Sequence, residues 1–212
     1  MGAAVITSLL AVAIRRRGVL AVVAAVLLAS CGTVAPNRRA AEYLDESTGA
    51  TITRVEEPLI LFSDDPAHAA NARDYIQAAP LAVNQAGKHS WWLWLGLWST
   101  IDRGASPGGV QRADVAGILL LVDGEPMELD IGARAESIPG LGRLPYATPV
   151  ATARNILLPL TASQVTRLSR ASSVAIRTEM TGGGTLLWQP WTRSGSWQNF
   201  AELAAADPGP PP

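Results

Sequence analysis

Residues 89–100 place the strongest constraint on the fold, because this run is almost entirely apolar and contains four of the seven tryptophans. In a β-strand, alternate side chains point to opposite faces of the sheet. Trp92, Trp94 and Trp98 would share one face, while Trp91 and three leucines would share the other. Both faces are therefore apolar. One interpretation is that both are covered, the leucines in a core and the tryptophans by a helix or a second sheet.

Short alternating or apolar segments, separated by turn residues, predict a mainly antiparallel β fold. Asp123-Gly124 is typical of a two-residue hairpin turn, and residues 84–88 indicate another. The connections are too short for repeated βαβ crossovers. We therefore expect an α+β domain that is β-sandwich-like or an open barrel, with about two short helices. The predicted strands are residues 51–55, 59–62, 73–83, 89–100, 115–122, 125–131, 156–160, 174–178 and 186–188.

Three positions carry more specific local signals. Pro80 has no backbone N–H to donate to a ladder, so it indicates an edge or a bulge in its strand. Thr161 begins a capping-box pattern that predicts a helix to about Ala171. Ser196 is expected to cap a second short helix that ends near residue 206.

The N-terminus has the composition of a secretion signal. Three arginines at residues 15–17 precede an uncharged apolar run at residues 19–29. These 11 residues are too few to cross a bilayer, which takes about 20. Residues 28–31 (Leu-Ala-Ser-Cys) resemble the lipobox of bacterial lipoproteins, in which the cysteine is acylated and the chain is cut before it. The resemblance implies lipidation of Cys31 and cleavage between Ser30 and Cys31.

A lipid anchor accounts for the single cysteine, since one thiol can form neither an intramolecular disulfide nor a cysteine-based zinc site. Two or three acyl chains anchor a protein stably, whereas one does so only marginally. Gly32 follows Cys31; in Gram-negative lipoproteins, the absence of Asp there favours the outer membrane, with the protein facing the periplasm. Secretory or twin-arginine export stays open, as does a translation start near Val12.

These features divide the chain into a signal peptide at residues 1–30, a tether at 31–49, a single β-rich domain at 50–206 and a proline-rich, disordered tail at 207–212. The signal peptide contains three arginines and no acidic residue, so its removal takes the net charge from −1 to −4. Nucleic-acid binding depends on Lys and Arg that neutralise phosphates, and this charge gives no indication of it.

Seven of the 12 aromatic residues are tryptophans. The candidate contact residues are therefore chosen from the tryptophans. A Trp side chain buries roughly 150–250 Å² and suits a core. Flat aromatic faces also suit sugar rings, for which peptidoglycan is the obvious source, and Trp anchors protein interfaces. Periodicity does not decide whether these tryptophans lie in the core or on a contact surface. The candidates for contact with a partner or a glycan are Trp92, Trp94, Trp98, Trp188 and Trp191.

No motif identifies a catalytic residue, a metal site or a cofactor, and we expect none. The pair at residues 64–65 together with His68 has the chemistry of an ion site or a catalytic pair, but a solvated turn is the simpler interpretation. His89 begins a strand beside a serine that no nucleophile elbow frames. The acidic residues of the strand after the Asp-Gly turn are expected on a solvated face: Glu125, Glu128 and Asp130.

We therefore expect a non-enzymatic lipoprotein that presents a small β-rich domain for protein interaction in the cell envelope. One alternative is a module that binds peptidoglycan through the tryptophans, and another is a hydrolase with an unfamiliar site. Residues 43–49 (Tyr-Leu-Asp-Glu-Ser-Thr-Gly) also resemble a stretch of uncharacterised proteobacterial lipoproteins, a likeness that implies no activity. The oligomeric state stays open.

Overall fold

The computed structural model describes residues 40–63, 73–100, 115–151, 153–181 and 183–191, together with Trp197 and Phe200. The predicted signal peptide, Cys31, residues 64–65, His68 and the tail lie outside the described residues. The predicted helix after Ser196 also lies outside them, except that Trp197 and Phe200 are helical and buried.

The regular structure of the described residues is dominated by antiparallel strands, which confirms the predicted mainly antiparallel β class. All strand pairings between them are antiparallel. The strands are β1 (Ala40–Asp45), β2 (Ala50–Val55), β3 (Leu59–Ser63), β4 (Asp74–Gln85), β5 (Lys88–Ser99), β6 (Val115–Val122), β7 (Glu125–Leu129), β8 (Arg154–Leu160), β9 (Val174–Met180) and β10 (Thr185–Pro190). One helix, α1 (Ala162–Ser169), and one 3-10 turn (Ile131–Ala133) complete the described elements.

The strands form one continuous network that does not close into a barrel. Along its main path the order is β1-β2-β4-β3-β10-β9-β6-β7, while β5 pairs with β4 and β8 off this path. β10 joins the two parts of the network, because residues 185–188 pair with β9 whereas Gln189 and Pro190 pair with β3. The buried side chains of both parts belong to one hydrophobic core.

β4 has two partner strands on one of its edges. It pairs with β3 from Asp74 to Ala78 and with β2 from Leu81 to Asn84, while β5 runs along its whole other edge. Pro80 falls in the gap between the two partners. A proline is tolerated where the ladder requires no N–H donor. The residue predicted to mark an edge or a bulge thus marks a change of partner strand.

Tyr146, from the loop before β8, fills this gap. Its hydroxyl donates to the carbonyl oxygen of Pro80 (2.9 Å) and accepts from the backbone N–H of Val55 (3.2 Å). Its ring stacks on that of Trp94, with centroids 4.9 Å apart and planes inclined by 19°. Burial raises the pKa of the Tyr146 phenol well above its ordinary value, so the hydroxyl stays protonated and able to donate.

β5 lies between β4 and β8 in the sheet, and the centre of the strand is buried on both of its faces. Leu93 and Leu95 on one face and Trp94 on the other are fully buried. Gly96 leaves the space that the Trp94 indole occupies. A Cβ there would lie 2.7 Å from the Trp94 ring and 2.7 Å from the methyl group of Thr148. Both faces are covered at the centre of this strand, as one interpretation predicts, but the ring stacked on Trp94 is that of Tyr146 from a loop.

α1 confirms the predicted capping box. The hydroxyl of Thr161 accepts from the N–H of Gln164 (3.2 Å), and the Thr161 N–H donates to the Gln164 side chain (2.8 Å). The helix contributes Val165 and Leu168 to the core. Among the described residues, no helix has the length and hydropathy needed to cross a membrane.

β1 lies within the segment that the sequence predicts as tether, which corrects that boundary. Its six residues pair with β2. In the turn that follows, the Asp45 carboxylate accepts from the hydroxyl of Ser47 (2.6 Å) and from the N–H of Gly142 (2.8 Å). Residues 40–49 are therefore part of the domain. The sequence pattern missed this strand because only Ala40 is buried, so apolar and polar residues do not alternate between a core face and a solvent face.

Candidate functional site

The structure separates the five candidate tryptophans, and two of them are core residues. Trp94 and Trp188 are 0% and 3% exposed. The Trp94 indole N–H donates to the side-chain oxygen of Asn155 (2.8 Å), and that of Trp188 donates to the hydroxyl of Thr178 (2.9 Å). Their prediction as contact residues is corrected, because these indoles are buried with their polar atoms already paired.

The other three candidates lie nearer the surface, and two of them share one surface. Trp92 is half-buried, and its indole N–H donates to the hydroxyl of Ser90 (3.0 Å). Trp98 is also half-buried and follows Trp92 by six residues on β5, a separation of about 20 Å. Trp191, which follows β10, is 56% exposed. Only Trp98 and Trp191 belong to the surface described next.

Aromatic side chains form a row across three adjacent strands. Phe62 of β3 lies opposite Tyr75 of β4, and Tyr75 lies opposite Trp98 of β5. Side chains of directly opposed residues share one face of the sheet. Trp191 extends the row, because its N–H donates to the carbonyl of Ile60 on β3 (2.7 Å). We call the surface formed by Phe62, Arg73, Tyr75, Trp98 and Trp191 the aromatic patch.

The rings of the patch contact one another in defined geometries. Tyr75 and Trp98 are stacked, with centroids 4.4 Å apart and planes inclined by 16°. Trp191 meets Phe62 edge-on at 5.4 Å and 89°, and meets Tyr75 at 6.4 Å and 78°. Offset stacking and edge-to-face contacts are the favoured arrangements of aromatic pairs. The patch is therefore held together by its own side chains before any ligand binds.

Arg73 adds a positive charge to the aromatic patch. Its guanidinium lies 5.6 Å from the ring centroid of Phe62 and 5.6 Å from that of Trp191, within the range of cation–π contacts. Its backbone is fixed to the end of β5, since the Arg73 N–H donates to the hydroxyl of Thr100 (3.0 Å) and its carbonyl accepts from the Thr100 N–H (3.0 Å). The charge is thus positioned by the sheet.

Two polar atoms beside the patch have no hydrogen-bond partner among the described residues. They are the indole N–H of Trp98 and the side-chain carbonyl oxygen of Gln77. Gln77 lies two residues beyond Tyr75 on β4, and therefore on the same face. A buried donor or acceptor that lacks a partner is costly. Both atoms are inaccessible to solvent, so they add no donor or acceptor to the surface of the patch.

Side chains that bind metals are not clustered in the part of the chain that the structure describes. There, no three His, Cys, Asp or Glu side chains lie close enough to hold a metal ion. His89 is half-buried at the start of β5, with its ring 6.4 Å from that of Trp91. The acidic residues of β7 and the following turn are exposed, as expected: Glu125, Glu128 and Asp130.

Three residues of the patch are not among the candidates predicted from the sequence: Phe62, Arg73 and Tyr75. Phe62 and Tyr75 fall within predicted strands, but their proximity depends on the register of β3 against β4. Arg73 joins them because Thr100, from the far end of β5, fixes its backbone. No local pattern carries that information. Models of known protein families, curated proteins and solved structures give no match to this chain.

Proposed function

We propose that this chain is a non-enzymatic lipoprotein, anchored in the outer membrane and facing the periplasm, whose β-rich domain binds a partner protein through the aromatic patch. The proposed binding role rests on the aromatic patch, in which Trp191 is exposed beside the stacked pair Tyr75–Trp98. Trp, Tyr and Arg are the residue types enriched at the energetic centres of protein interfaces. All three occur here on one small surface.

The proposed anchor rests on the lipobox-like residues 28–31 and on the apolar run before them. Replacement of Cys31 by Ala tests it in cells that express the full chain. We expect loss of labelling by a fatty-acid analogue and loss of the protein from the membrane fraction. Labelling and membrane association that persist in the Cys31→Ala variant would contradict the anchor.

Ring geometry favours a protein over a glycan as the partner. Sugar recognition by stacking requires a flat ring face that is open to the ligand. In the patch, Tyr75 and Trp98 cover one face of each other, and the Arg73 guanidinium lies over the Trp191 ring. Protein hot spots impose no such requirement, because clustered aromatic rings and Arg can pack into a complementary pocket.

A glycan stays the second candidate because the Trp191 ring at the rim of the patch is 56% exposed. Sedimentation of the detergent-solubilised full chain with purified peptidoglycan sacculi separates the two ligands. We expect no co-sedimentation. Binding to sacculi that Trp191→Ala abolishes, while the variant retains its thermal transition, would overturn the protein partner in favour of the glycan.

The sequence also predicts how the strands pack, as a β-sandwich or an open barrel. We propose that the two parts of the strand network, joined by β10, pack face to face as a β-sandwich. The support is that buried residues alternate along β3 in one part and along β9 in the other and belong to one core. An experimentally determined structure in which either inner face met solvent would contradict this arrangement.

A further inference from the structure

One end of the strand network is protected against pairing with another strand. At β7, the Arg167 guanidinium of α1 donates to the carbonyls of Pro126 (3.1 Å) and Glu125 (3.2 Å). The Gln164 side chain donates to the carbonyl of Glu128 (3.2 Å). An edge strand with unpaired backbone groups is a template for another chain, and side chains that occupy those groups remove it. α1 thus covers the β7 edge.

β1, at the other end of the path, has no such cover among the described residues. There it pairs with β2 alone. By contrast, the edge strand β8 carries a bridge in which the Ala135 N–H donates to the Leu157 carbonyl (3.0 Å). Tyr43 and Leu44 on β1 are 36% and 61% exposed, and they are two of the four exposed large hydrophobic side chains in the described residues.

β1 is also held in an extended form that is ready to pair. All six of its residues are in register with β2. Its end is fixed by Asp45, which accepts from Ser47 and from Gly142 on a distant loop. A strand that is already ordered loses little conformational entropy when another strand binds to it. The exposed edge is therefore a pre-formed docking surface.

We propose that β1 pairs antiparallel with β1 of a second copy of this chain, with Tyr43 on the two-fold axis. In this register each Glu42 lies opposite Leu44 and each Asp45 opposite Ala41, so no two like charges are directly opposed. An axis at Glu42 would place two carboxylates against each other, which is destabilising. An axis at Tyr43 instead places two aromatic rings together.

The charges that flank β1 favour a second copy in the antiparallel direction. Residues 38–39 before the strand are both Arg, whereas residues 45–46 at its end are Asp and Glu. An antiparallel pair brings the basic end of one copy to the acidic end of the other. A parallel pair would bring like charges together. The segment is therefore complementary to itself, as an isologous two-fold contact requires. This inference does not depend on the aromatic patch.

Engineered cysteines test the pairing in the full chain, in cells. Under the proposed anchor the Cys31 sulfur is acylated, so Tyr43→Cys introduces the single free thiol. Directly opposed residues of antiparallel strands have Cα atoms about 4.5–5.5 Å apart, which suits a disulfide. With copper phenanthroline as oxidant we expect Tyr43→Cys to form a disulfide-linked dimer, Leu44→Cys to form much less, and Glu128→Cys on the covered β7 edge to form none.

The controls distinguish a failure of the proposed lipid anchor from a failure of the proposed strand pairing. Dimer formation by the parent chain would reveal a free Cys31 thiol and thus contradict the anchor alone. Tyr43→Cys that stays monomeric, or that cross-links no more than Glu128→Cys, would overturn the pairing. Strongest cross-linking at Glu42→Cys would overturn the register with Tyr43 on the axis.

A second measurement needs no new thiol. We expect the detergent-solubilised full chain to show a concentration-dependent dimer in sedimentation velocity. Tyr43→Lys should abolish the dimer, because it places two positive charges on the axis, while its thermal transition stays close to that of the parent. A parent chain that is monomeric at every concentration, or a dimer that survives Tyr43→Lys, would overturn the proposal.

Discussion

The indole of Trp98 stacks on the ring of Tyr75 at 4.4 Å between centroids, and the two residues lie directly opposite each other on β5 and β4. This pair is therefore positioned by strand register. The patch around it is presented by the sheet itself, with Arg73 and Trp191 held by backbone hydrogen bonds to neighbouring strand ends. Binding through such a surface requires little reorganisation.

Replacement of Tyr146 by Phe tests the hydrogen bonds that its hydroxyl makes in the gap between β2 and β3. The variant leaves the Val55 N–H and the Pro80 carbonyl without the hydroxyl that bridges them. We expect a loss of about 1–3 kcal/mol in the free energy of unfolding, measured by urea denaturation, since a buried polar group without a partner costs that much. Tyr43→Phe removes an exposed hydroxyl and should change stability by less than about 0.5 kcal/mol. Equal effects of the two variants would contradict the role of these hydrogen bonds.

Gly96→Ala tests the close packing of Trp94. The added methyl would lie 2.7 Å from the Trp94 ring and 2.7 Å from the Thr148 methyl, so both must shift. We expect a destabilisation of about 1–3 kcal/mol in urea unfolding, as is typical of overpacking. The double variant Gly96→Ala/Thr148→Ser removes one of the two obstructions and should recover part of the loss. Strictly additive effects would mean that Thr148 does not limit the space.

Asp45→Asn tests the link between β1 and the loop before β8, through its pH dependence. Hydrogen bonds from Ser47, and then from the Gly142 N–H, hold the pKa of Asp45 below its ordinary value. A lowered folded-state pKa stabilises the fold above the unfolded carboxyl pKa of about 3.9, and this stability is lost as the pH falls through the folded pKa. We therefore expect a lower melting temperature for Asp45→Asn at pH 7 and a difference that shrinks below about pH 4. The exposed neighbour offers the control Glu46→Gln. A difference that is independent of pH would contradict the role of the charge.

Thr161→Ala tests the cap of α1. It removes the hydroxyl that accepts from the Gln164 N–H, and we expect a loss of about 0.5–2 kcal/mol in urea unfolding. Thr166→Ala is a matched control on the same helix. Its hydroxyl donates only to the Ala162 carbonyl one turn back, and alanine is the better helix former, so stability should stay level or rise. A Thr166→Ala loss as large as that of Thr161→Ala would contradict the capping role.

The features predicted correctly from the sequence depend on neighbouring residues. The Asp123-Gly124 turn has both residues at positive φ, 53° and 85°, as a tight hairpin requires. The hairpin within residues 84–88 turns at Ala86 and Gly87, with φ of 52° and 82°. The capping box at Thr161 is equally local. In each case a few adjacent residues determine the backbone conformation.

The features that the sequence did not predict depend on contacts between distant residues. The alternation predicts Trp94 and Trp98 on one face of β5, as observed, but only Trp94 is covered by Tyr146, which comes much later in the chain. Phe62 enters the patch through the register of β3 with β4. The sequence predicts a tether where β1 lies, because an edge strand that buries so little has almost no hydrophobic pattern.

Site-specific photo-cross-linking in living cells tests the proposed partner surface most directly. The photoreactive residue replaces Gln189, which is exposed and lies opposite Phe62 on β3, so the patch stays intact. A matched control carries it at Thr166, an exposed position on α1. We predict one discrete protein adduct at position 189 that disappears with Trp191→Ala or Arg73→Ala and does not form at position 166. No protein adduct at position 189, or one that survives both substitutions, would contradict the account.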